Sequence, residues 1–141
     1  MKEQIIMDKL NSYKNNKETD KLEALFDLQN TFDEYIKEIR SLDYSDHDYW
    51  IPQMCRCITV ESNELMDCFN WKHWKNKKEI DWDNVKEETI DLWHFLLSLT
   101  IKIGLKPQDI INQYIDKNIE NYNRQLGKSE RDGYQYNVSK L

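Results

Sequence analysis

The predicted fold of this chain depends most on the sequence NVKEETIDLWHFLLSL, residues 84–99. After Thr89 the sequence is apolar nearly all round, and we predict a helix over about residues 84–103. In a chain this hydrophilic, with a mean hydropathy of -0.90, such a helix is expected to be central and buried by its neighbours on most sides. Its apolar residues are Ile90, Leu92, Trp93, Phe95, Leu96, Leu97, Leu99, Ile101 and Ile103.

An upstream helix is predicted to begin near Asp20. Glu23 stands three residues after Asp20, as in a capping box. The apolar stripe of this helix has helical spacing and consists of Leu22, Leu25, Phe26, Phe32, Ile36 and Ile39. Gln29 and Asp33 fall inside the same stripe, which is an unusual place for polar side chains.

Two further helices complete the pattern. Pro52 suits the first turn of one helix, because the missing N–H would be unpaired there. The loop NWKHWKNKKEIDWD, residues 70–83, breaks the helical period, and Asp83 is expected to cap the helix that follows. Pro107 opens a last helix that runs to about Gln125. The inward stripe after Pro52 consists of Met54, Cys57, Ile58, Leu65, Cys68 and Phe69. Four or five helices joined by short loops predict an all-α, compact helical bundle.

Length and composition favour a single domain. A chain of 141 residues can bury a core without disulfides or metal staples, and only 3 Gly and 2 Pro favour mainly helical structure. We predict a polar N-terminal segment at residues 1–19, which forms a frayed or lightly docked helix. The core is expected at residues 20–126 and a C-terminal tail at residues 127–141.

Charge and cysteine content restrict the partners. A net charge of -6 argues against non-specific nucleic-acid binding, which needs a surplus of Lys and Arg. Cys55, Cys57 and Cys68 make an odd count without metal-finger spacing, which indicates reduced thiols in a cytoplasm. No stretch approaches the length that spans a membrane. We therefore expect a soluble, cytoplasmic protein with no nucleic-acid or membrane partner.

Four acidic residues stand on the inward faces of the two most apolar helices. Glu61 and Glu64 are three residues apart, and so are Glu88 and Asp91, so each pair shares one helix face. Packing of these helices would bring four carboxylates together, and their mutual repulsion would need compensation. Mg²⁺ supplies it, because carboxylate oxygens suit this ion and it bridges protein acids to substrate phosphates. A single ExxE motif is more typical of a solvated helix face, and the presence of two pairs favours a metal site.

The quoted motifs resemble a known family. ESNELMDCFNWKHWK, residues 61–75, followed by residues 84–99 resembles the signature of the all-α dimeric dUTP pyrophosphatases. That family lies within the MazG-like all-α nucleoside triphosphate pyrophosphohydrolase superfamily. LEALFDLQNTFDEYI, residues 22–36, is similar to its N-terminal helix. The ExxE and ExxD motifs are shared with MazG-type and dCTP enzymes, whereas the WKHWK loop and the DLWHF extension point to dUTPase.

The resemblance implies roles for individual residues. It implies that four residues hold catalytic Mg²⁺ ions: Glu61, Glu64, Glu88 and Asp91. Gln29 would read the uracil edge, and Asp33 occupies a position where the family often has Asn. Trp71 and Trp74 would flank the base or close its pocket, while His94 and Phe95 match the family's HF, with Phe95 stacking on the base or sugar. From pattern alone, Gln29 could equally be a hydrogen-bonded core residue. A lone His on an apolar helix, such as His94, is more often such a residue than a ligand, and tryptophans such as Trp71 and Trp74 usually just cap the bundle.

The helix DKNIENYNRQ, residues 116–125, resembles a phosphate-binding segment of the family. Lys117, Asn121 and Arg124 follow each other at i, i+4 and i+7 along one face, and Arg can grip phosphate with two hydrogen bonds. The resemblance implies that a later Gly-Tyr pair, here Gly133 and Tyr134, joins them as the tail closes over the phosphates. The alternative is a solvated helix face.

The sequence thus predicts Mg²⁺-dependent hydrolysis of dUTP to dUMP and pyrophosphate by a homodimer. Attack at the β-phosphorus and use of dUDP are implied by the resemblance. Two alternatives stay open. One is a pyrophosphohydrolase for another nucleotide such as dCTP, which is supported by Asp33 at the position where the family often has Asn. The other is a helical interaction module that has lost activity, against which the four intact acids speak.

Overall fold

The structure is a computed structural model that describes residues 2–14 and 18–131, and this part of the chain is all-α, with no strand. Its five helices are α1 (Lys2–Tyr13), α2 (Lys21–Arg40), α3 (His47–Asp67), α4 (Trp82–Lys102) and α5 (Pro107–Gln125). The chain divides into two units, Met1–Gly104 with α1 to α4 and Leu105–Leu141 with α5. Within the described residues, no helix has the length and apolar character that crossing a bilayer requires.

Aspartate side chains cap the N-termini of α2, α3 and α4. Asp20 accepts hydrogen bonds from the backbone N–H groups of Leu22 and Glu23, which confirms the predicted start of α2. For α4 the predicted cap was wrong by two residues. Asp81 caps this helix by accepting from the N–H groups of Asp83 and Asn84, and Asp83 lies inside the first turn.

Helix α3 begins earlier than Pro52 indicates. Asp46 caps the helix by accepting from the N–H of Tyr49 at 3.1 Å, so α3 starts at His47. Pro52 is then the sixth residue rather than a first-turn residue, and its ring removes one backbone hydrogen bond from the helix. The indole of Trp50 packs edge-on against Tyr44, with ring centroids 4.7 Å apart, which ties this early turn to the preceding loop.

Helix α4 packs against both α3 and α2, and α1 packs against α2. The central place of α4 is therefore confirmed, but its burial on most sides is not. Ile90, Trp93 and Leu96 remain 55%, 49% and 48% exposed, because no described helix of this unit covers that face. The buried apolar residues are few: Ala24, Phe26, Met54, Cys68 and Leu97.

The predicted stripe of α2 is also only partly inward. Leu25, Phe32 and Ile39 are exposed, whereas Phe26 and Gln29 are buried. The buried positions recur at helical spacing and continue to Asp33, whose side chain is 13% exposed. The polar residues that looked out of place in the stripe therefore lie on the face that α2 turns towards α4.

Candidate active site

The packing of α3 on α4 brings three carboxylates together. Glu88 and Asp91 share one face of α4, and Glu61 comes from α3. One carboxylate oxygen from each lies within 4.8 Å of the others, and all three side chains are half-buried. The spacing in sequence therefore corresponds to a real cluster.

The charges in this cluster act against each other. Burial raises the pKa of Glu61, and the negative charges of Glu64, Asp91 and Glu88 raise it further, as does a hydrogen bond with Glu64. Burial also raises the pKa of Glu88, and the charges of Glu64, Asp91 and Glu87 add to the effect. Each perturbing charge is another carboxylate, so the cluster has the electrostatic character of a cation site.

Glu64 occupies a different place from the other three. It is exposed and lies outside the compact group, although it is hydrogen-bonded to Glu61 and its charge reaches both Glu61 and Glu88. Its role as a direct ligand stays a prediction. The three clustered acids could hold one metal ion, and an all-oxygen donor set suits hard cations such as Mg²⁺, Mn²⁺ or Ca²⁺.

A second polar group joins α2 to α4. Gln29 is only 5% exposed. Its Nε2 donates to Asp33 Oδ1 at 2.9 Å, and its Oε1 lies 2.9 Å from His94 Nδ1. Asp33 Oδ2 accepts from Ser98 Oγ at 2.6 Å and from Lys102 Nζ at 3.1 Å. Gln29, Asp33 and His94 therefore lie together, as members of one connected network.

Three members of this network were missed from the sequence. Ser98 and Lys102 were not singled out, although Asp91, His94, Ser98 and Lys102 form a polar line at spacings of three, four and four along an apolar helix. That line was the available signal. The third is Tyr44, whose ring centroid lies 3.9 Å from Lys102 Nζ. It belongs to the loop before α3, and nothing in the sequence pattern connects it to α4.

A groove of about 370 Å³ opens beside this network. Gln29 and His94 supply its polar groups, and the remaining wall is apolar: Leu10, Leu25, Leu28, Phe32, Ile90, Trp93 and Leu97. A mostly apolar cleft with a few convergent polar groups is the usual form of a small-molecule site. Asp91 of the carboxylate cluster lies about one helical turn before His94 on α4.

The predicted aromatic residues lie in two places. Trp71 and Trp74 are 44% and 63% exposed on the loop after α3, with ring centroids 5.9 Å apart. Trp71 donates from Nε1 to Asp67 at 2.8 Å, and Lys72 lies over its ring. Phe95 is half-buried on α4, four residues after Asp91. The roles of these rings towards a base stay predictions.

The second unit carries the predicted phosphate-binding residues. Lys117 and Asn121 are exposed on α5. Arg124 donates from Nε to Glu120 Oε1 at 3.1 Å and from Nη1 to Asn121 Oδ1 at 3.4 Å. Lys117 also lines a hollow of about 660 Å³ within this unit. Gly133 and Tyr134 lie outside the described residues.

Comparison with known proteins covers the same part of the chain. A family model described as dUTPase matches residues 21–109, which include α2, α3, α4 and the whole carboxylate cluster. The dCTP pyrophosphatase of Enterobacteria phage T4 is 27% identical over 100 residues, which is 54% of this chain and 58% of that protein. The chain therefore matches little more than half the length of that relative. No solved structure matches the chain.

Proposed function

The chain belongs to the all-α dUTPase family, and we propose that it hydrolyses dUTP to dUMP and pyrophosphate with the help of Mg²⁺. The observation that carries this proposal is the convergence of Glu61, Glu88 and Asp91 within 4.8 Å. A divalent cation held there supplies a Lewis acid that activates water and neutralises charge on phosphate. Without such a cation, the three carboxylates repel one another at this separation.

Each acidic residue of the site is assigned a role in the reaction. Glu88 and Asp91 would hold a cation from one face of α4, with Glu64 adding negative charge beside them. Glu61 stands opposite on α3 and accepts the proton of the attacking water as general base. Use of dUDP is part of the same proposal, because hydrolysis between the α- and β-phosphates needs no γ-phosphate.

Recognition of the base is assigned to the groove between α2 and α4. Gln29 and His94 face the groove with hydrogen-bonding groups, and its apolar wall suits a flat ring. Phe95 is proposed to stack on the base or sugar, while Trp71 and Trp74 close the pocket. Lys117, Asn121 and Arg124 are proposed to bind the phosphates, and residues 132–141 of the predicted tail lie outside the described part of the chain.

Replacement of one ligand tests the carboxylate assignment. Glu88→Gln keeps the size of the side chain but removes its charge, so it should abolish most pyrophosphate release while the helical circular dichroism is retained. Glu87→Gln is the matched control, because Glu87 is exposed on the same helix and lies outside the cluster. Equal turnover of the two variants would refute the assignment.

A second candidate function is hydrolysis of dCTP. Its support is the similarity to a protein named dCTP pyrophosphatase, together with Asp33 at the position where the family often has Asn. Competition between dUTP and dCTP for the wild-type protein separates the two candidates. A higher kcat/KM for dCTP would replace the dUTP assignment and leave the metal chemistry in place.

We also propose that the protein acts as a homodimer. On α5, Ile111, Ile115 and Ile119 are exposed at a spacing of four residues, and this helix contributes no buried residue among those described. Contiguous apolar surface of this kind is typical of a face that another subunit covers.

Cys55, Cys57 and Cys68 are free thiols, which supports action in the cytoplasm.

A further inference from the structure

The hydrogen bonds around Gln29 run in one direction, from donor to acceptor, and they start at the ion pair between Lys102 and Asp33. We propose that this ion pair sets the orientation of the Gln29 amide and, through it, the tautomer of His94, so that the groove presents one pattern of donors and acceptors to a pyrimidine. Asp33 and Lys102 are then positioning residues for base selection. The inference rests on the proposed function, which assigns the base to this groove.

The direction of these hydrogen bonds is set first at Asp33, whose carboxylate can only accept them. Asp33 Oδ2 lies 3.1 Å from Lys102 Nζ and accepts from Ser98 Oγ at 2.6 Å. A carboxylate paired with an ammonium offers oxygen lone pairs and no proton. Gln29 must therefore turn its NH₂ group towards Asp33, and its Nε2 lies 2.9 Å from Asp33 Oδ1. The opposite amide orientation would set a carbonyl oxygen against the carboxylate.

The orientation of Gln29 then decides where His94 carries its proton. The carbonyl Oε1 of Gln29 lies 2.9 Å from His94 Nδ1. Because a carbonyl only accepts, Nδ1 must hold the hydrogen, and Nε2 of the neutral imidazole is left as an acceptor. His94 lines the groove, so a ligand there must bring a donor to this nitrogen.

The ion pair is placed where water competes little with it. The side chains of Lys102 and Asp33 are 7% and 13% exposed. Lys102 Nζ also lies over the ring of Tyr44, 3.9 Å from its centroid, and donates to Ser98 Oγ at 3.2 Å. Contacts on several sides hold the ammonium in place, so the direction of the hydrogen bonds is set from the protein interior rather than by solvent.

Uracil offers the donor that this pattern requires. Its N3–H lies between two carbonyl groups, whereas N3 of cytosine is an acceptor. An acceptor at His94 Nε2 can take the uracil N3–H, and the second N–H of Gln29 can serve a neighbouring carbonyl. Cytosine in the same place would set one lone pair against another, and an unpaired group of this kind discriminates strongly between ligands once the ligand covers it.

The test removes the ion pair without leaving a single buried charge. In the double variant Asp33→Asn/Lys102→Met, the amide introduced at position 33 can donate as well as accept, so both orientations of Gln29 become possible. Long-range ¹H–¹⁵N NMR at alkaline pH reports the tautomer of His94, assigned by comparison with His94→Gln. We expect hydrogen on Nδ1 in the wild type and a mixture of tautomers in the double variant. The ratio of kcat/KM for dUTP to that for dCTP should fall at least tenfold.

Two matched proteins complete the experiment. Lys102→Arg retains the positive charge and should keep both the tautomer and the ratio. Asp83→Asn/Lys86→Met makes the same chemical change in an exposed pair that begins α4, with side chains 94% and 74% exposed, and should change neither. Hydrogen on Nε2 in the wild type would overturn the inference. So would a folded double variant in which either the tautomer or the ratio is unchanged. If the wild type hydrolyses neither nucleotide, the proposed function fails and the NMR result alone decides the inference.

Discussion

Removal of the Lys102 ammonium should destabilise the protein strongly. The substitution Lys102→Met keeps the apolar stem but leaves the Asp33 carboxylate, 13% exposed, without its ion-pair partner. Loss of one partner from a buried ion pair costs about 3–5 kcal/mol. Ser98 and Gln29 still donate to Asp33, so the lower end of that range is expected. Even about 3 kcal/mol is a large part of the roughly 5–15 kcal/mol that stabilises a domain.

Urea unfolding followed by circular dichroism measures this loss. The midpoint should fall while the m-value stays constant, because the substitution changes stability and not the surface exposed on unfolding. Lys86→Met breaks an exposed pair on the same helix and should change the free energy of unfolding by less than about 0.5 kcal/mol. Addition of Asp33→Asn to Lys102→Met should restore much of the loss, since it removes the unpaired charge. Lys102→Met at wild-type stability would refute the assignment of a structural ion pair.

Three further results are expected. The pKa of Glu61 is raised above its ordinary value of 4.5, so the metal-free protein should lose stability as pH rises from that value through the raised pKa; Glu61→Gln should abolish this component, and an unfolding difference between the two proteins that does not grow with pH would contradict it. Mg²⁺ should raise the melting temperature of the wild type but not that of Glu88→Gln. At a hundredfold excess over Kd the ion should stabilise the folded wild type by about 2.7 kcal/mol, and equal shifts in the two proteins would show that the ion binds elsewhere. Sedimentation at micromolar concentration should show a dimer that Ile115→Glu weakens, and a wild-type monomer would reject the homodimer.

The sequence was sufficient for the fold class and for the pairing of acidic residues along single helices. Spacing of three residues places Glu88 and Asp91 on one helix face, and the apolar character of α4 makes it the helix that others pack against. Both conclusions depend on local periodicity alone. The same periodicity could not say which side of α4 is covered, because Ile90 and Trp93 are as apolar as the buried Leu97.

What the sequence could not provide were the contacts between helices. Gln29 and Asp33 were recognised as polar residues in an apolar stripe, but their partners His94 and Ser98 lie 65 residues further along the chain. Hydrogen bonds over that separation depend on the register between α2 and α4, which a single sequence does not contain. The predicted start of α4 was wrong for a related reason. Asp81 and Asp83 are both good caps by residue type, and only the backbone conformation selects Asp81.

The central claim is that the acidic cluster supports metal-dependent release of pyrophosphate from dUTP. Phosphorus NMR of dUTP incubated with the chelator-treated protein, followed by addition of Mg²⁺, tests this claim most directly. We predict no turnover before the addition and conversion to dUMP and pyrophosphate after it, with dCTP consumed far more slowly. Three results would contradict metal-dependent pyrophosphate release: hydrolysis that proceeds equally in the presence of chelator, release of inorganic phosphate in place of pyrophosphate, or no reaction with Mg²⁺.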